Sequence, residues 1–253
     1  PQSHLADNAL PRLSSSSFCK SWISPSTSIT NAALETEPKS EMPPFYKSVV
    51  FLLYNPCMAN YKKIFTSHSG ILRASKAIEL GVPKHTLYEM VKTGELVREA
   101  EGIYRLSETP MPGNPDLVNL SLRAPKAVFC LISALYFHEL TTQIPHYVYF
   151  ALPRDVKTPK IQVPPIWVFH FSQESYKAGI VEHELDGVKV KIYDREKTIA
   201  DCFKFREKVG MDVALESIKD YLRQPKVNVS LLMKYARINR VEKIMRPYVE
   251  VLL

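Results

Sequence analysis

Residues 70–106 read GILRASKAIELGVPKHTLYEMVKTGELVREAEGIYRL, and their punctuation predicts two short helices followed by a hairpin. Arg73 to Leu80 places Ala74, Ala77 and Ile78 at helical spacing and ends at Gly81, the residue type best suited to a left-handed stop. Gly81 and Val82 form the turn. Pro83 suits a first helical position, and Leu87, Met90 and Val91 then recur at three and four residues until Thr93 and Gly94 end the second helix after Lys92. Glu95–Glu99 and Ile103–Leu106 form two short strands around a turn at Ala100, Glu101 and Gly102. A helix, a tight turn and a helix, followed by a hairpin as the wing, make a winged helix-turn-helix. Its second helix is free to enter a DNA major groove about 12 Å wide. The candidate residues for that contact are Lys84, His85, Tyr88 and Lys92, the first three being best placed for base edges. The alternative is a small structural subdomain with Lys84 and His85 merely solvated.

The same residues resemble the N-terminal winged helix of the AbiEi family of type IV antitoxins, most distinctively from Gly94 to Leu106, which ends in Gly-Ile-Tyr-Arg-Leu. The similarity continues through Tyr193-Asp-Arg-Glu-Lys-Thr-Ile-Ala-Asp-Cys202, which looks like the family's C-terminal antitoxin signature. It thus spans Met58 to Leu253. The resemblance implies a transcriptional repressor that autoregulates its operon at an operator with inverted repeats and neutralises a nucleotidyltransferase-type toxin. One position departs from the pattern. Family members often carry a basic residue at the wing tip, where this chain has Glu101. A carboxylate repels phosphate, so Arg98 and Arg105 are the better phosphate candidates.

The whole chain of 253 residues is 45% hydrophobic and 23% charged, which suits one large or two small globular domains. The apolar run Val49 to Leu53 is far below the roughly 20 residues of a membrane helix. It also lacks the flanks of a secretory signal. A formal charge of +7 favours an acidic partner, nucleic acid first and an anionic membrane surface second. Cys19, Cys57, Cys130 and Cys202 show no CxxC spacing, so neither a zinc site nor a disulfide framework is indicated, and a reducing, cytoplasmic compartment fits. Residues 1–57 contain no glycine, eleven serines and seven of the nineteen prolines, and read as a disordered leader. Met58 opens a conventional-looking start. An upstream extension is one reading of the leader, and a regulated tail or docking peptide around Phe45 to Tyr54 is the other.

Residues 58–109 therefore form the DNA-binding domain, and 110–115, with Pro110, Pro112, Gly113, Asn114 and Pro115, form the linker. Residues 116–253 form a mixed α+β, antitoxin-like domain ending in a helical segment. A first helix is predicted from Lys126 to Leu140. Strands follow at Tyr147–Leu152 and Ile166–Phe171, and a hairpin at Ile180–Tyr193 turns at Asp186-Gly187. Helices follow Asp194, at Glu196–Lys208, Asp212–Leu222 and Leu231 to about Leu252, the last broken near Asn239 and at Pro247. Between residues 219 and 246 eight basic residues face only Asp220 and Glu242. Arg237, Arg240 and Lys243 are the candidate basic surface there, serving DNA, tRNA or an acidic toxin, or simply solvated. Arg195, Thr198 and Asp201, three apart on one helix, read as an intrahelical polar cluster.

Catalysis finds little support. A restriction-type nuclease needs an acidic residue on one strand and a Glu-x-Lys pair on the next, because carboxylates hold magnesium. The hairpin offers Asp186 and then Lys189-Val190-Lys191, with lysine where the second carboxylate belongs. No Gly-Ser pair, Asp-x-Asp or phosphate-binding glycine loop occurs. His138, His146, His170 and His183 show no ligand spacing, so no metal and no cofactor is expected. A DNA-binding repressor and antitoxin is the leading expectation. A stand-alone winged-helix transcription factor is the nearest alternative, and a winged helix fused to a nuclease-like domain is the more distant one.

Overall fold

The structure, a computed structural model, describes residues 60–253. The readings made for residues 1–57 lie outside the described residues. The described residues form a mixed α+β fold that ends in helices and belong to one compact unit.

Helix α1 covers residues 60–66. β1 (Ile71–Arg73), α2 (Ala74–Glu79), α3 (Lys84–Lys92), β2 (Leu96–Ala100) and β3 (Ile103–Leu106) follow. The helix pair owes its shape to two backbone motifs of one kind. After α2 the Gly81 N–H bonds to the Ile78 carbonyl and the Val82 N–H to the Ala77 carbonyl, both at 3.0 Å. After α3 the Gly94 N–H bonds to Val91 (3.2 Å) and the Glu95 N–H to Met90 (2.9 Å). These are paired helix stops around a left-handed residue, and Gly81 (φ 96°) and Gly94 (φ 78°) supply it without a Cβ clash. Pro83 stands one place earlier than the sequence reading had it. It is the extended residue before α3, and its carbonyl accepts the Leu87 N–H at 3.2 Å. α2 also turns differently from expectation: Ala77 is buried, but Ile78 is 46% exposed.

Sequence reasoning missed β1. It pairs antiparallel with β3, giving the order β1-β3-β2, with Arg98 opposite Tyr104 and a bulge between Arg98 and Ala100. β3 is therefore the central strand, and all four of its residues are buried.

Helix α4 (Pro115–Arg123) begins where the linker was expected to end. Pro115 breaks nothing at this position, because the first helical N–H has no partner in any helix. Beyond it, the helix predicted over Lys126–Leu140 is instead a short strand, β4 (Val128–Phe129), and α5 (Leu131–Phe137). This stretch is apolar on all sides, and periodicity cannot separate a buried strand from a buried helix there. β5 (Val148–Pro153), β6 (Ile166–Phe171), β7 (Ile180–Leu185) and β8 (Val188–Tyr193) complete a sheet of order β6-β5-β4-β8-β7. The hairpin turns at Asp186-Gly187 as read, both residues having positive φ.

α6 (Gln173–Lys177) lies between β6 and β7. α7 (Arg195–Lys204), α8 (Arg206–Val209), α9 (Met211–Leu222), α10 (Val229–Ile238) and α11 (Glu242–Leu252) cover one face of the sheet. The helix expected over Glu196–Lys208 thus divides at Phe205. The last segment breaks at Asn239–Val241 but runs on through Pro247. α7 is the axis of this layer. Asp194 caps it, accepting the Lys197 N–H at 2.7 Å, and also accepts the Tyr235 hydroxyl of α10 at 2.7 Å. Glu196 accepts the Tyr221 hydroxyl of α9 at 2.6 Å. Lys197 and Asp201 are ion-paired with no solvent exposure. Asp201 Oδ1 also accepts Asn239 Nδ2 at 2.7 Å. The Lys197 Nζ lies 4.8 Å and 4.7 Å from the ring centres of Phe171 and Tyr193. The expected cluster of Arg195, Thr198 and Asp201 is not formed. Arg195 donates to Gln224 at 2.7 Å and Thr198 to the Asp194 carbonyl at 2.8 Å, because each side chain finds a partner on a neighbouring element or on its own backbone.

Ile71 and Ile103 share one apolar cluster with Val118, Phe150 and Val190, so the first sheet and the second bury surface on each other across residues 110–115.

Two stability predictions follow from these contacts. Asp201→Ala strands the Lys197 ammonium in the core and costs about 3–5 kcal/mol, whereas Lys197→Met with Asp201→Leu costs less than the single change. Urea denaturation of both variants checks the order, and a single-variant loss below about 1 kcal/mol would show that the pair is not isolated from water. The second concerns His138, whose Nε2–H donates to the Tyr193 carbonyl at 2.7 Å. Burial lowers its pKa from the ordinary 6.5, outweighing that hydrogen bond. The unfolded chain therefore takes up this proton first as pH falls. The stabilisation is complete above 6.5 and is lost as pH falls through the folded value. Urea midpoints should drop on acidification from about pH 7.5 to about pH 5.5, and drop less in His138→Gln.

Candidate nucleic-acid interface

α3 is amphipathic in the literal sense. Thr86, Leu87 and Met90 are buried, and Leu87 and Met90 pack with Phe65 of α1 and with Leu72, Leu96, Tyr104 and Leu106 of the first sheet. The opposite side carries Lys84, His85, Tyr88 and Lys92, all exposed. Positions 84, 88 and 92 are one helical turn apart and 85 lies beside 88, so the four make one stripe. Tyr88 leaves 47% of its surface open. Lys92 Nζ pairs with Glu89 at 2.7 Å, an exposed contact worth little that a phosphate can replace.

The hairpin divides the two arginines proposed for phosphate. Arg98 on β2 is exposed. Arg105 on β3 is 8% exposed, ion-paired with Glu99 at 2.5 Å, and donates to the carbonyls of Leu106 and Thr109. Its guanidinium is committed inward, which corrects the expectation of a phosphate contact there. The cause is β1, which covers β3 from the side that a two-stranded hairpin leaves open.

Glu101 at the hairpin tip has a partner that sequence reasoning did not foresee. Arg123 of α4 lies 3.5 Å from it, donates to the Val163 carbonyl at 3.0 Å and receives the Arg73 guanidinium on its own carbonyl at 3.4 Å. The acidic tip therefore lies beside α4, in an exposed pair worth as little as that of Lys92. No signal near Glu101 announces this, since Arg123 is 22 residues away.

On the helical layer, Arg237, Arg240 and Lys243 are all exposed. They do not form one bare cationic face. Arg237 Nε pairs with Glu242 at 3.0 Å, and Arg246 pairs with Glu242 and Glu250. Against a desolvation that raises it, the hydrogen bonds from Arg237 and Arg246 hold Glu242 below the usual carboxylate range. Arg240 and Lys243 have no ion pair among the described residues.

The residues weighed for catalysis have structural duties. Asp186 accepts the Gly113 N–H at 3.1 Å, and Lys189 and Lys191 stand opposite Glu184 and Glu182 in the hairpin register. His138 and His183 come together, ring centres 6.3 Å apart, which their spacing did not foretell. Among the described residues no group of three metal-ligating side chains converges, and no helix is long and apolar enough to cross a membrane.

No curated protein matches this sequence. Among solved structures, the RV2827C protein from Mycobacterium tuberculosis is similar at 9% identity and a TM-score of 0.45, over 76% of this chain and 81% of that one. The helix pair and hairpin find a counterpart in sequence: residues 61–107 match the model of a family described as transcriptional regulators, the AbiEi antitoxins.

Proposed function

We propose that the chain is a DNA-binding transcriptional repressor and antitoxin that acts in the cytoplasm, autoregulates its operon, and neutralises a nucleotidyltransferase-type toxin. Residues 58–109 serve as a winged helix-turn-helix, 110–115 as the connection, and 116–253 as the antitoxin part. The observation that carries the DNA reading is the exposed stripe Lys84, His85, Tyr88 and Lys92 on a helix whose other face is locked by Leu87 and Met90. The family match over residues 61–107 supports the regulatory role. Lys84, His85 and Tyr88 read bases, while Lys92 and Arg98 position the backbone. Arg240 and Lys243, with Arg237 beside them, provide the anion-attracting surface of the antitoxin part. A stand-alone regulator without a toxin is the second reading, favoured by the family match ending at residue 107.

Binding of the full chain to operator and scrambled duplexes tests the first claim. Alanine at Lys84, His85 or Tyr88 should cost about 1–3 kcal/mol of discrimination between the two. Unchanged ratios would remove α3 as the reading helix. Arg98→Ala should weaken both duplexes alike and reduce the salt slope by about 1. Arg105→Ala should leave the slope unchanged yet lower stability, because Glu99 loses its buried partner.

Co-expression with the neighbouring toxin tests the second claim. Substitution on α3 is the right perturbation, since removing residues 58–109 would bare the partners of Ile71 and Ile103. The α3 variants should lose repression and keep protection. Charge reversal at Arg237, Arg240 and Lys243 should reduce protection, and full protection by the expressed variant would eliminate that surface.

A further inference from the structure

β6 is an edge strand, and alternation puts Trp167, Phe169 and Phe171 on one of its faces. Their rings belong to a continuous series. Tyr147 meets Trp167 edge-on at 5.8 Å, Trp167 stacks on Phe169 at 5.9 Å, Phe169 meets Phe205 at 4.9 Å, and Phe205 stacks on Phe171 at 5.5 Å. The series is open at its Tyr147 end, where Tyr147 and Trp167 are 45% and 37% exposed, and closed at Phe169 and Phe171, which are buried.

Cations gather along the closed part. Lys208 Nζ lies 5.4 Å from the Phe169 centre and 6.0 Å from that of Phe205. Lys204 Nζ lies 5.5 Å from Phe171 and 5.7 Å from Phe205, and 3.5 Å from Asn239 Oδ1. Arg154 follows β5 directly, and Arg240 follows Asn239 with φ 60°, a left-handed conformation that costs a non-glycine residue energy. Arg154, Lys204, Lys208 and Arg240 form no ion pair among the described residues. Burial lowers the Lys204 pKa, and the charges of Lys197, Arg154 and Arg240 add to this against the attraction of Asp201. Asp201 itself is taken up by Lys197 and Asn239. Of the nearby acids, Asp155 accepts from Gln173 at 3.4 Å. The charges of Arg154 and Arg240 bear on the half-buried Lys204, and Lys208 shares the Phe205 ring with it; a bound polyanion relieves such repulsion.

We propose that this series of rings and cations binds single-stranded nucleic acid, with an unpaired base on Trp167 and Tyr147 and successive phosphates on Lys208, Lys204 and Arg240. An exposed ring beside a line of cations is the recognition chemistry of unpaired strands, because a base must leave its duplex to stack on a side chain. Duplex DNA would meet the cations but leave Trp167 unused, and so would an acidic protein surface. The site is separate from α3 and stands whether or not α3 reads DNA.

The test uses the full chain with Trp22→Phe, which leaves Trp167 as the only tryptophan. An oligouridylate and an oligodeoxythymidylate of roughly 12 nucleotides are titrated at about 50 mM and about 200 mM salt. Binding should quench Trp167 emission and weaken with salt. By labelled-oligonucleotide anisotropy, Trp167→Ala and, independently, Lys208→Glu should each weaken binding about tenfold, the first without changing affinity for duplex DNA. A stronger response to oligouridylate identifies RNA as the natural strand, and equal responses identify an unpaired strand of either sugar. Three results overturn the proposal: no binding at the lower salt, an affinity unchanged from the parent chain in either variant, or displacement of the oligonucleotide by polyglutamate of the same length as readily as by unlabelled oligouridylate. Lys208 is on the surface, so its variant remains informative if loss of the Trp167 ring disturbs the edge strand.

Discussion

The helical layer is organised around one expensive interaction, the Lys197–Asp201 ion pair on α7, which has no access to water. Two charges moved out of water must be satisfied on every side or they destabilise the fold. The rings of Phe171 and Tyr193 close over the ammonium, and Asn239 closes over the carboxylate oxygen that Lys197 holds, while the other oxygen, Oδ2, is buried without a hydrogen-bond partner among the described residues. Asn239 in turn receives the Ser175 hydroxyl at 2.9 Å, so α6, α7, the end of β8 and the α10–α11 junction meet at one point. Such a network fixes register more than it adds stability. An apolar pair of similar volume would allow α7 to slide, whereas these groups accept one arrangement.

The same helix explains why the segment Tyr193 to Cys202 carries so many polar residues. Asp194, Glu196 and Thr198 are occupied with α10, α9 and the backbone, and Lys197 and Asp201 with each other and with Asn239. Cys130 and Cys202 lie in the same core, and burial raises both thiols well above their ordinary range, which keeps them unreactive at neutral pH. A segment rich in acids, lysine and cysteine reads like a site, but its partners are all internal.

How far the sequence could be read depended on whether the decisive partner was local. Gly81 and Gly94 end helices through bonds within five residues, and the Asp186-Gly187 turn is set by two residues, so these were legible. Lys84, His85, Tyr88 and Lys92 follow from helical periodicity alone. Arg105 was misread because β1, more than 30 residues earlier, makes β3 a central strand. α4 was not foreseen, because Pro115, read as the last linker residue, is equally suited to open a helix. The Lys126–Leu140 stretch carries no polar face from which a period could be taken. The roles of Glu101 and His183 depend on Arg123 and His138, which only the fold brings near.

The cluster joining Ile71 and Ile103 to Val118, Phe150 and Val190 bears on how such a chain can be recombined. A hybrid that kept residues 110–253 and took a different reading head would inherit a socket shaped for two isoleucines, and a head presenting smaller or polar side chains there would leave a void or an unmatched dipole under the joint. Altering the reading surface alone avoids this, since the stripe on α3 faces away from that seam. Specificity can therefore be exchanged residue by residue more readily than module by module.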